Sequence, residues 1–372
     1  MEVYGYGVPE KGAAFVPVRF TREDLRPGEV AIDITHCGIC HSDLHQVDND
    51  WHNTNYPCVP GHEIAGTVTE VGAGVTKFRK GDRVGVGCMI NSCRECEPCR
   101  NGDEQYCEGP KSATLTYNGT KNPDGTNTYG GYSDAIVVRE EFVLRIPDSL
   151  SPEAAAPILC AGITVYQPMK HFGLKKGQTL GVAGVGGLGS MAIQIGKAMG
   201  AKVVALTTHA NKSDEIRKLG ADEVLVSTDS DAMENAAMSL DMMINTIPVS
   251  HDINGYVALM KPNSTLVVVG NMNGFENVQS APLVFHRIGI HGSLIGGIAD
   301  TQEVLDLCAE HDITPELKIA STADLEEIYD ELRNGNPGYR HVLDMKAFSE
   351  DTEARSRAKE IPAPTRGEVV GR

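Results

Sequence analysis

At 372 residues the chain is longer than one ordinary hydrophobic core supports, and with 41% apolar and 22% charged residues it reads as a folded protein of two domains. A formal net charge of −17 argues against DNA, RNA and anionic membrane surfaces as partners over most of its exterior. The opening MEVYGYGVPEKGAAFVPVRF lacks a basic-then-apolar leader pattern and no apolar run reaches the ~18 residues of a membrane span, so the ten cysteines are expected to be thiols in a reducing cytoplasm.

Residues 1–150 alternate apolar and polar positions in EVAIDITHCG, GTVTEVG, DRVGVGCM and DAIVVR, punctuated by Gly, Pro and Asp. That period belongs to antiparallel strands with one buried face, and it predicts a β-type first domain. Within it, CRECEPCRNGDEQYC sets Cys93, Cys96, Cys99 and Cys107 in C-x2-C-x2-C-x7-C spacing. Four thiolates so spaced can close around one tetrahedral ion, which suits a structural zinc. Two rivals use the same residue type. A bacterial ferredoxin run shortens its last gap to three residues and continues with Pro, where Glu108 follows here. A redox C-x-x-C pair opens a helix near a βαβ unit, whereas this segment lies among β-type elements.

From Gln178 to Gly297 the runs TLGVAG, KVVAL, EVLVS, MMINTI, TLVVVG and IGIHGSLIG alternate with helical patterns such as SMAIQIGKAMG and SDEIRKLG. Strands joined by helical crossovers predict a parallel sheet with helices on both faces, so residues 151–297 read as a doubly wound, Rossmann-type α/β domain. GVAGVGGLGSM carries Gly184, Gly186 and Gly189 in G-x-G-x-x-G spacing between a strand and a helix, with Gly187 and Leu188 inside the turn. In that context the motif predicts a dinucleotide site: a tight turn at Gly184, close approach of the pyrophosphate at Gly186 and close helix packing at Gly189. The second strand ends in KVVALTTHANK, with no acid for a ribose 2′-hydroxyl. Thr207, Thr208, His209 and Lys212 stand there instead, a set that favours the 2′-phosphate of NADP(H) over NAD, although an exposed loop and helix cap is the plainer reading of the same residues.

Residues 298–348 hold two helical patterns, TQEVLDLCAEH and ADLEEIYDELRNG, and the strand-like YRHVLDM, and are expected to return to pack on the first domain. Residues 349–372, SEDTEARSRAKEIPAPTRGEVVGR after Phe348, have no aromatic residue or Leu and are expected to be a disordered tail.

HCGICHSDLH supplies Cys37, Cys40, His41, Ser42, Asp43 and His45; GHE supplies His62 and Glu63; ILCAGITVY supplies Cys160. Taken singly, each Cys reads as a small buried hydrophobe and each His as a hydrogen-bonded core residue. Together with PGHEIAGTVTEVG, the four-cysteine lobe, GGYSD, GVGGLG and YRHVLDM, in that order over roughly residues 10–348, they resemble the zinc-dependent alcohol dehydrogenases of the medium-chain dehydrogenase/reductase superfamily, in the cinnamyl-alcohol-dehydrogenase-like branch.

The resemblance implies a GroES-like antiparallel β-barrel catalytic domain beside the Rossmann domain, two Zn2+ per subunit and a homodimer joined through the edge strand IGIHGSLIG. It makes Cys40, His62 and Cys160 the catalytic zinc ligands with Glu63 close to the metal, and Asp43 the carboxylate orienting His62. Ser42 corresponds to the hydroxyl that receives the substrate proton and His45 to the far end of that relay. His41 and Arg340 correspond to contacts of the cofactor pyrophosphate; some relatives have Arg at the former position. Cys37, Cys58, Cys88 and Cys308 match no ligand position and are read as buried thiols. Trp51, the single Trp, lies in NDWHNTNYP between two ligand motifs and is a candidate wall of the substrate pocket, or ordinary core packing.

The activity so implied is reversible, zinc-dependent reduction of aliphatic and aromatic aldehydes to primary alcohols by hydride transfer from NADPH. The runner-up is a polyol or secondary-alcohol dehydrogenase. A non-catalytic zinc- and NADPH-binding sensor is the alternative outside enzymology, and the presence of both Ser42 and His45 gives it no positive support.

Overall fold

The apolar–polar alternation of EVAIDITHCG becomes the strand Glu29–Gly38, the centre of a mostly antiparallel sheet. Ile64–Val71 pairs along one of its edges, and Ala135–Arg139 and Arg340–Asp344 along the other. Val30, Ile32, Ile64, Ile136 and Leu343 on these strands are each 0% exposed. The structure, a computed structural model, describes residues 1–22, 24–109, 113–119, 127–270, 274–275, 277–335 and 338–364.

The chain divides into two units, Met1–Cys160 with Gly296–Ala309 and Thr314–Arg372, and Ala161–Ile295 with Glu310–Ile313. The division falls after Cys160, ten residues beyond the expected boundary at Leu150. The reason is the helix Pro152–Pro157, whose Ala154, Ala155 and Ala156 bury against the strands Glu29–Gly38 and Ile64–Val71 of the first unit. Small side chains let that helix lie close to the sheet, and the helix carries the chain forward to Cys160.

In the second unit six parallel strands stand in the order Glu223–Val226, Lys202–Thr207, Thr179–Ala183, Leu240–Asn245, Met260–Val268, Gly289–Gly292. Their registers are in step, as at Val182↔Ala205 and Val182↔Ile244. Leu180, Val182, Val203, Met243, Ile244 and Leu266 are all 0% exposed, as strands covered on both faces require. The chain winds outward from Thr179–Ala183 on one side and then crosses to Leu240–Asn245 on the other. A crevice at such a reversal, beyond the carboxyl ends of these two strands, is where doubly wound sheets bind ligands.

The expected disorder from residue 349 onward does not hold for the described part of that segment. Asp344 and Asp351 each cap a short helix, Met345–Glu350 and Thr352–Ser356, by accepting the N–H of Ala347 and Ala354, both at 2.9 Å. Lys359–Glu360 then adds a parallel strand to Val16–Thr21. Docking uses two buried side chains, Phe348 and Ala354, and the cation Arg355, which pairs with Asp134 at 3.3 Å and lies 4.0 Å from the Tyr4 ring centroid. Composition hid this because one cation and one Ala, held by local caps, do the work of an apolar run. Residues 365–372 lie outside the described residues.

A chain ending at Asp351 is expected to unfold at a midpoint about 1–3 °C lower, following loss of roughly 1–2 kcal/mol of cation–π, ion-pair and strand contacts. Thermal circular dichroism of the two lengths checks it; equal midpoints would show that these contacts contribute nothing.

Candidate functional site

Cys40 stands at the N-cap of the helix His41–Val47 in a reciprocal cap. Its Sγ accepts the N–H of Ser42 at 3.4 Å, while Asp43 Oδ2 accepts the N–H of Cys40 at 2.9 Å. C-x-x-D therefore places the thiol at a helix start and turns Asp43 inward. Asp43, at 0% exposure, uses its other oxygen to accept the N–H of Gly61 at 3.1 Å and to meet His62 Nδ1 at 3.1 Å. With Nδ1 engaged by Asp43, Nε2 of His62 is the ring atom that could hold a metal.

The turn bearing His62 is locked from behind by GGY. Gly130, Gly131 and Tyr132 donate to the carbonyls of Val59, Gly61 and Pro60, and a Cβ on Gly130 would stand 2.3 Å from the Gly61 oxygen. The third donor, Cys160, lies on a π turn, Ile158–Gly162, that follows the helix Pro152–Pro157. Such turns re-aim a side chain that regular helix would direct elsewhere.

Cys40, His62, Glu63 and Cys160 bring one ligating atom each to within 4.8 Å of one another, and all four are buried. Cys40 Sγ and Cys160 Sγ are 3.9 Å apart, and His62 Nε2 lies 3.2 Å from Cys160 Sγ. Two sulfurs on a tetrahedral ion at the usual zinc–sulfur distance are about 3.8 Å apart, so the thiol pair fits zinc without rearrangement.

The electrostatics suit a cation. Cys160 hydrogen-bonds to Cys40, which holds the Cys40 thiol well below its usual range and Cys160 well above, as two acids sharing one proton do. Burial opposes charge on His62, but the Asp43 carboxylate together with the Cys88 and Cys40 thiols outweighs it and raises the imidazole pKa. Burial pushes the Glu63 carboxyl up to about 8, against the pull of Arg340.

Glu63 Oε1 pairs with Arg340 Nη2, and its Oε2 is buried with no hydrogen-bonding partner among the described residues. Arg340, expected at a cofactor phosphate, is thus buried and turned onto Glu63. His41 is held below its usual pKa, first by burial and also by Arg340, so it sits as a neutral imidazole at neutral pH. Ser42 Oγ lies 3.6 Å from Cys40 Sγ. His45 is one helical turn further on the same face, its Nδ1 2.8 Å from Asp50 Oδ2. Trp51 is half-buried, its ring 5.7 Å from that of His45.

Cys93, Cys96, Cys99 and Cys107 also meet within 4.8 Å, and the Cys93 and Cys99 sulfurs again stand 3.9 Å apart. Backbone amides point at the sulfurs: Cys96 N–H at Cys93, Glu108 N–H at Cys96, and Cys93 and Gly109 N–H at Cys107. Such donors favour thiolates: the backbone of Glu95 first, and then that of Cys96, brings the Cys93 pKa down to about 6, whereas burial keeps Cys107 above its usual range. The fourth corner is filled by sulfur, which leaves an ion there no position for substrate.

In the second unit Gly184 adopts φ +86°, a conformation open to glycine, and Gly187–Ala198 forms the helix behind it with Gly186 at its N-cap. Gly187, Leu188 and Gly189 form its first turn. Thr207 ends the second strand, and its Oγ1 accepts the His209 N–H at 3.2 Å. The Thr208 hydroxyl and His209 Nδ1 are 2.8 Å apart, and Lys212 is exposed on the following turn.

Two residues escaped the sequence reading. Thr246 Oγ1 donates to the carbonyls of Ala183 and Gly184 at 3.1 and 2.9 Å, tying the end of the fourth strand to the glycine turn. A polar residue directly after the apolar run MMIN was the only available signal. Cys88, expected as a buried thiol, is only half-buried; its Sγ meets the Leu159 carbonyl at 3.9 Å, and the neighbouring Cys160 holds its pKa below the usual range. Its place in the strand-like run DRVGVGCM gave no hint of that neighbour.

Comparison with known proteins agrees with this geometry. Residues 26–148 match the family described as "Alcohol dehydrogenase GroES-like domain" and residues 187–310 that described as "Zinc-binding dehydrogenase". The chain is 45% identical over 346 residues to NADP-dependent alcohol dehydrogenase C 1 of Mycolicibacterium smegmatis, covering 93% of this chain and 99% of that one. It is 44% identical over 346 residues to a probable mannitol dehydrogenase of Mesembryanthemum crystallinum, covering 92% and 95%. The structure of a cinnamyl alcohol dehydrogenase from Sorghum bicolor superposes with a TM-score of 0.88 at 40% identity, covering 93% of this chain and 98% of that one. The chain belongs to the zinc-binding alcohol dehydrogenases of the medium-chain dehydrogenase/reductase superfamily, in their cinnamyl-alcohol-dehydrogenase-like branch, an oxidoreductase family with a GroES-like and a Rossmann-type domain.

Proposed function

We propose that this enzyme reversibly reduces aldehydes to primary alcohols with NADPH, over a broad aliphatic and aromatic range, using a catalytic Zn2+ on Cys40, His62 and Cys160. The observation that carries the reading is the buried meeting of two thiols and one carboxylate-oriented imidazole from three distant parts of the chain. Zinc there supplies Lewis-acid polarisation of an aldehyde oxygen, and NADPH supplies the hydride.

The chain's own residues do the rest. Asp43 holds Nδ1 of His62 and so keeps Nε2 free to ligate. The Ser42 hydroxyl, beside Cys40, gives a proton to the forming alkoxide and takes it back in the oxidative direction; His45, one turn away and paired with Asp50, links the relay to water. Glu63 pairs with Arg340, so a phosphate contact by Arg340 would compete with that pair. Cys93, Cys96, Cys99 and Cys107 hold a second, structural Zn2+.

The glycine turn at Gly184–Gly189 receives the dinucleotide, and Thr207, Thr208, His209 and Lys212 face the 2′-phosphate. The M. smegmatis relative, NADP-dependent by its name, supports that choice. Thr208→Asp would set a carboxylate against the 2′-phosphate and offer an acceptor to a 2′-hydroxyl. The ratio of kcat/KM for NADPH over NADH is expected to fall about a hundredfold, the size of one charge-assisted hydrogen bond gained or lost. Steady-state kinetics with both cofactors measures it.

We further propose a cytoplasmic homodimer paired through Gly289–Gly292, which stands at the edge of its sheet. Light scattering of the purified protein tests the assembly.

The decisive experiment is turnover of benzaldehyde, cinnamaldehyde and aliphatic aldehydes with NADPH and NADH, zinc fully loaded, followed by nicotinamide absorbance. The mannitol-dehydrogenase relative keeps a polyol reading alive, so polyols with the oxidised cofactors form the second arm. Turnover confined to polyols would replace the aldehyde reading, and none on either panel would leave the sensor.

A further inference from the structure

The four-cysteine lobe makes a contact that closing around an ion does not require. Glu104, in the short turn Glu104–Tyr106 just before Cys107, accepts the N–H of Ile298 on its Oε2 at 3.1 Å, across a sequence separation of 194. Ile298 opens the helix Ile298–Glu310, and Gly296 is where the chain re-enters the unit that bears both cysteine groups. Between them Gly297 lies so close to the lobe that a Cβ would stand 1.7 Å from the Gly102 oxygen and 2.5 Å from Glu104 Oε2. The Gly297 carbonyl then accepts both the N–H and the hydroxyl of Thr301, at 3.0 and 2.7 Å, which closes the first turn.

The first amides of a helix have no partner within it, and a carboxylate there satisfies one and is favoured by the helix dipole. Such a cap ordinarily comes from the residue just before the helix. Here it comes from the lobe, so the position of the lobe and the start of the helix are mechanically joined.

We propose that the lobe anchors the re-entry of the chain: its closure fixes Gly102 and Glu104, and these fix Gly297, Ile298 and the first turn of the helix. The proposal rests on the reading that Cys93, Cys96, Cys99 and Cys107 hold a metal. It gives that metal a task beyond its own loop, since the lobe sits on the residues by which the chain leaves the dinucleotide-binding unit.

Hydrogen exchange followed by mass spectrometry on the full-length enzyme, with metal content measured on the same samples, tests it. Glu104→Ala is expected to speed exchange across residues 298–301 about tenfold with metal content unchanged, as loss of about 1.4 kcal/mol of local protection gives. Glu104→Gln, which keeps an acceptor without the charge, should fall between. Cys107→Ser should lose the lobe metal and speed exchange at 298–301 as much as Glu104→Ala does. Wild-type exchange at 298–301 in Glu104→Ala, or in a Cys107→Ser protein that has lost its metal, would overturn the anchor while leaving the metal reading intact. Full metal content in Cys107→Ser would overturn the metal reading beneath it.

Discussion

Cys160→Ser is expected to remove the catalytic-site metal and to lower kcat/KM for aldehyde reduction about a thousandfold or more. A serine hydroxyl does not ionise as a thiolate does and is a much poorer zinc donor, so one of the three proposed ligands is lost from the buried group. A thousandfold corresponds to about 4 kcal/mol of transition-state stabilisation, within what Lewis-acid polarisation of a carbonyl provides. Metal analysis of the purified variant should find the ion held by Cys93, Cys96, Cys99 and Cys107 and none on Cys40 and His62, because the two groups are built from separate residues. Cys99→Ser is the mirror experiment, with loss of the lobe metal and of thermal stability and a smaller effect on turnover. A Cys160→Ser protein with two metals and ordinary turnover would sink the assignment of Cys160 as a ligand.

Much of the fold was legible in the sequence because it is built from periodic elements. Six β-branched runs with helical spacers could make only a parallel sheet, and six parallel strands are found, with the glycine turn after the first of them and at the reversal of the winding. The C-terminal segment was misread because its docking is carried by Asp344, Asp351, Ala354 and Arg355. Caps and one cation–π contact leave no hydrophobic pattern. The unit boundary lies beyond the expected one for a related reason: the alanines of SPEAAAP are small enough to bury a helix against the sheet of the first unit.

The candidate site was legible unevenly. Close spacing made the four-cysteine group readable without any family knowledge, since ligands separated by two residues must be near each other. Cys40, His62 and Cys160 are far apart in sequence, and only the resemblance placed them together. What no motif expresses is contact between side chains from distant segments. Glu63 against Arg340, Thr246 beneath Gly184, Cys88 against Cys160 and Glu104 on the N–H of Ile298 are all of this kind.

Ser42→Ala separates a working relay from a site that merely binds. Ser42 Oγ is 3.6 Å from Cys40 Sγ, so its hydroxyl borders the metal position without being one of the four clustered donors. Removing it should leave the cap of the helix intact, because Cys40 Sγ accepts the backbone N–H of residue 42 and Asp43 accepts that of Cys40; neither contact uses the hydroxyl. Metal content and NADPH affinity are therefore expected to match wild type. Turnover should fall by about 10²–10⁴, the usual contribution of a positioned proton donor. His45→Ala should cost less, since His45 is exposed toward Asp50 and water can replace it at the outer end of the relay. The loss in Ser42→Ala should appear in kcat as well as in kcat/KM, as for a group that acts in the transition state and not in binding. Equal kcat in the two proteins would remove Ser42 from the proton path, and a parallel loss of metal would recast it as part of the metal's support.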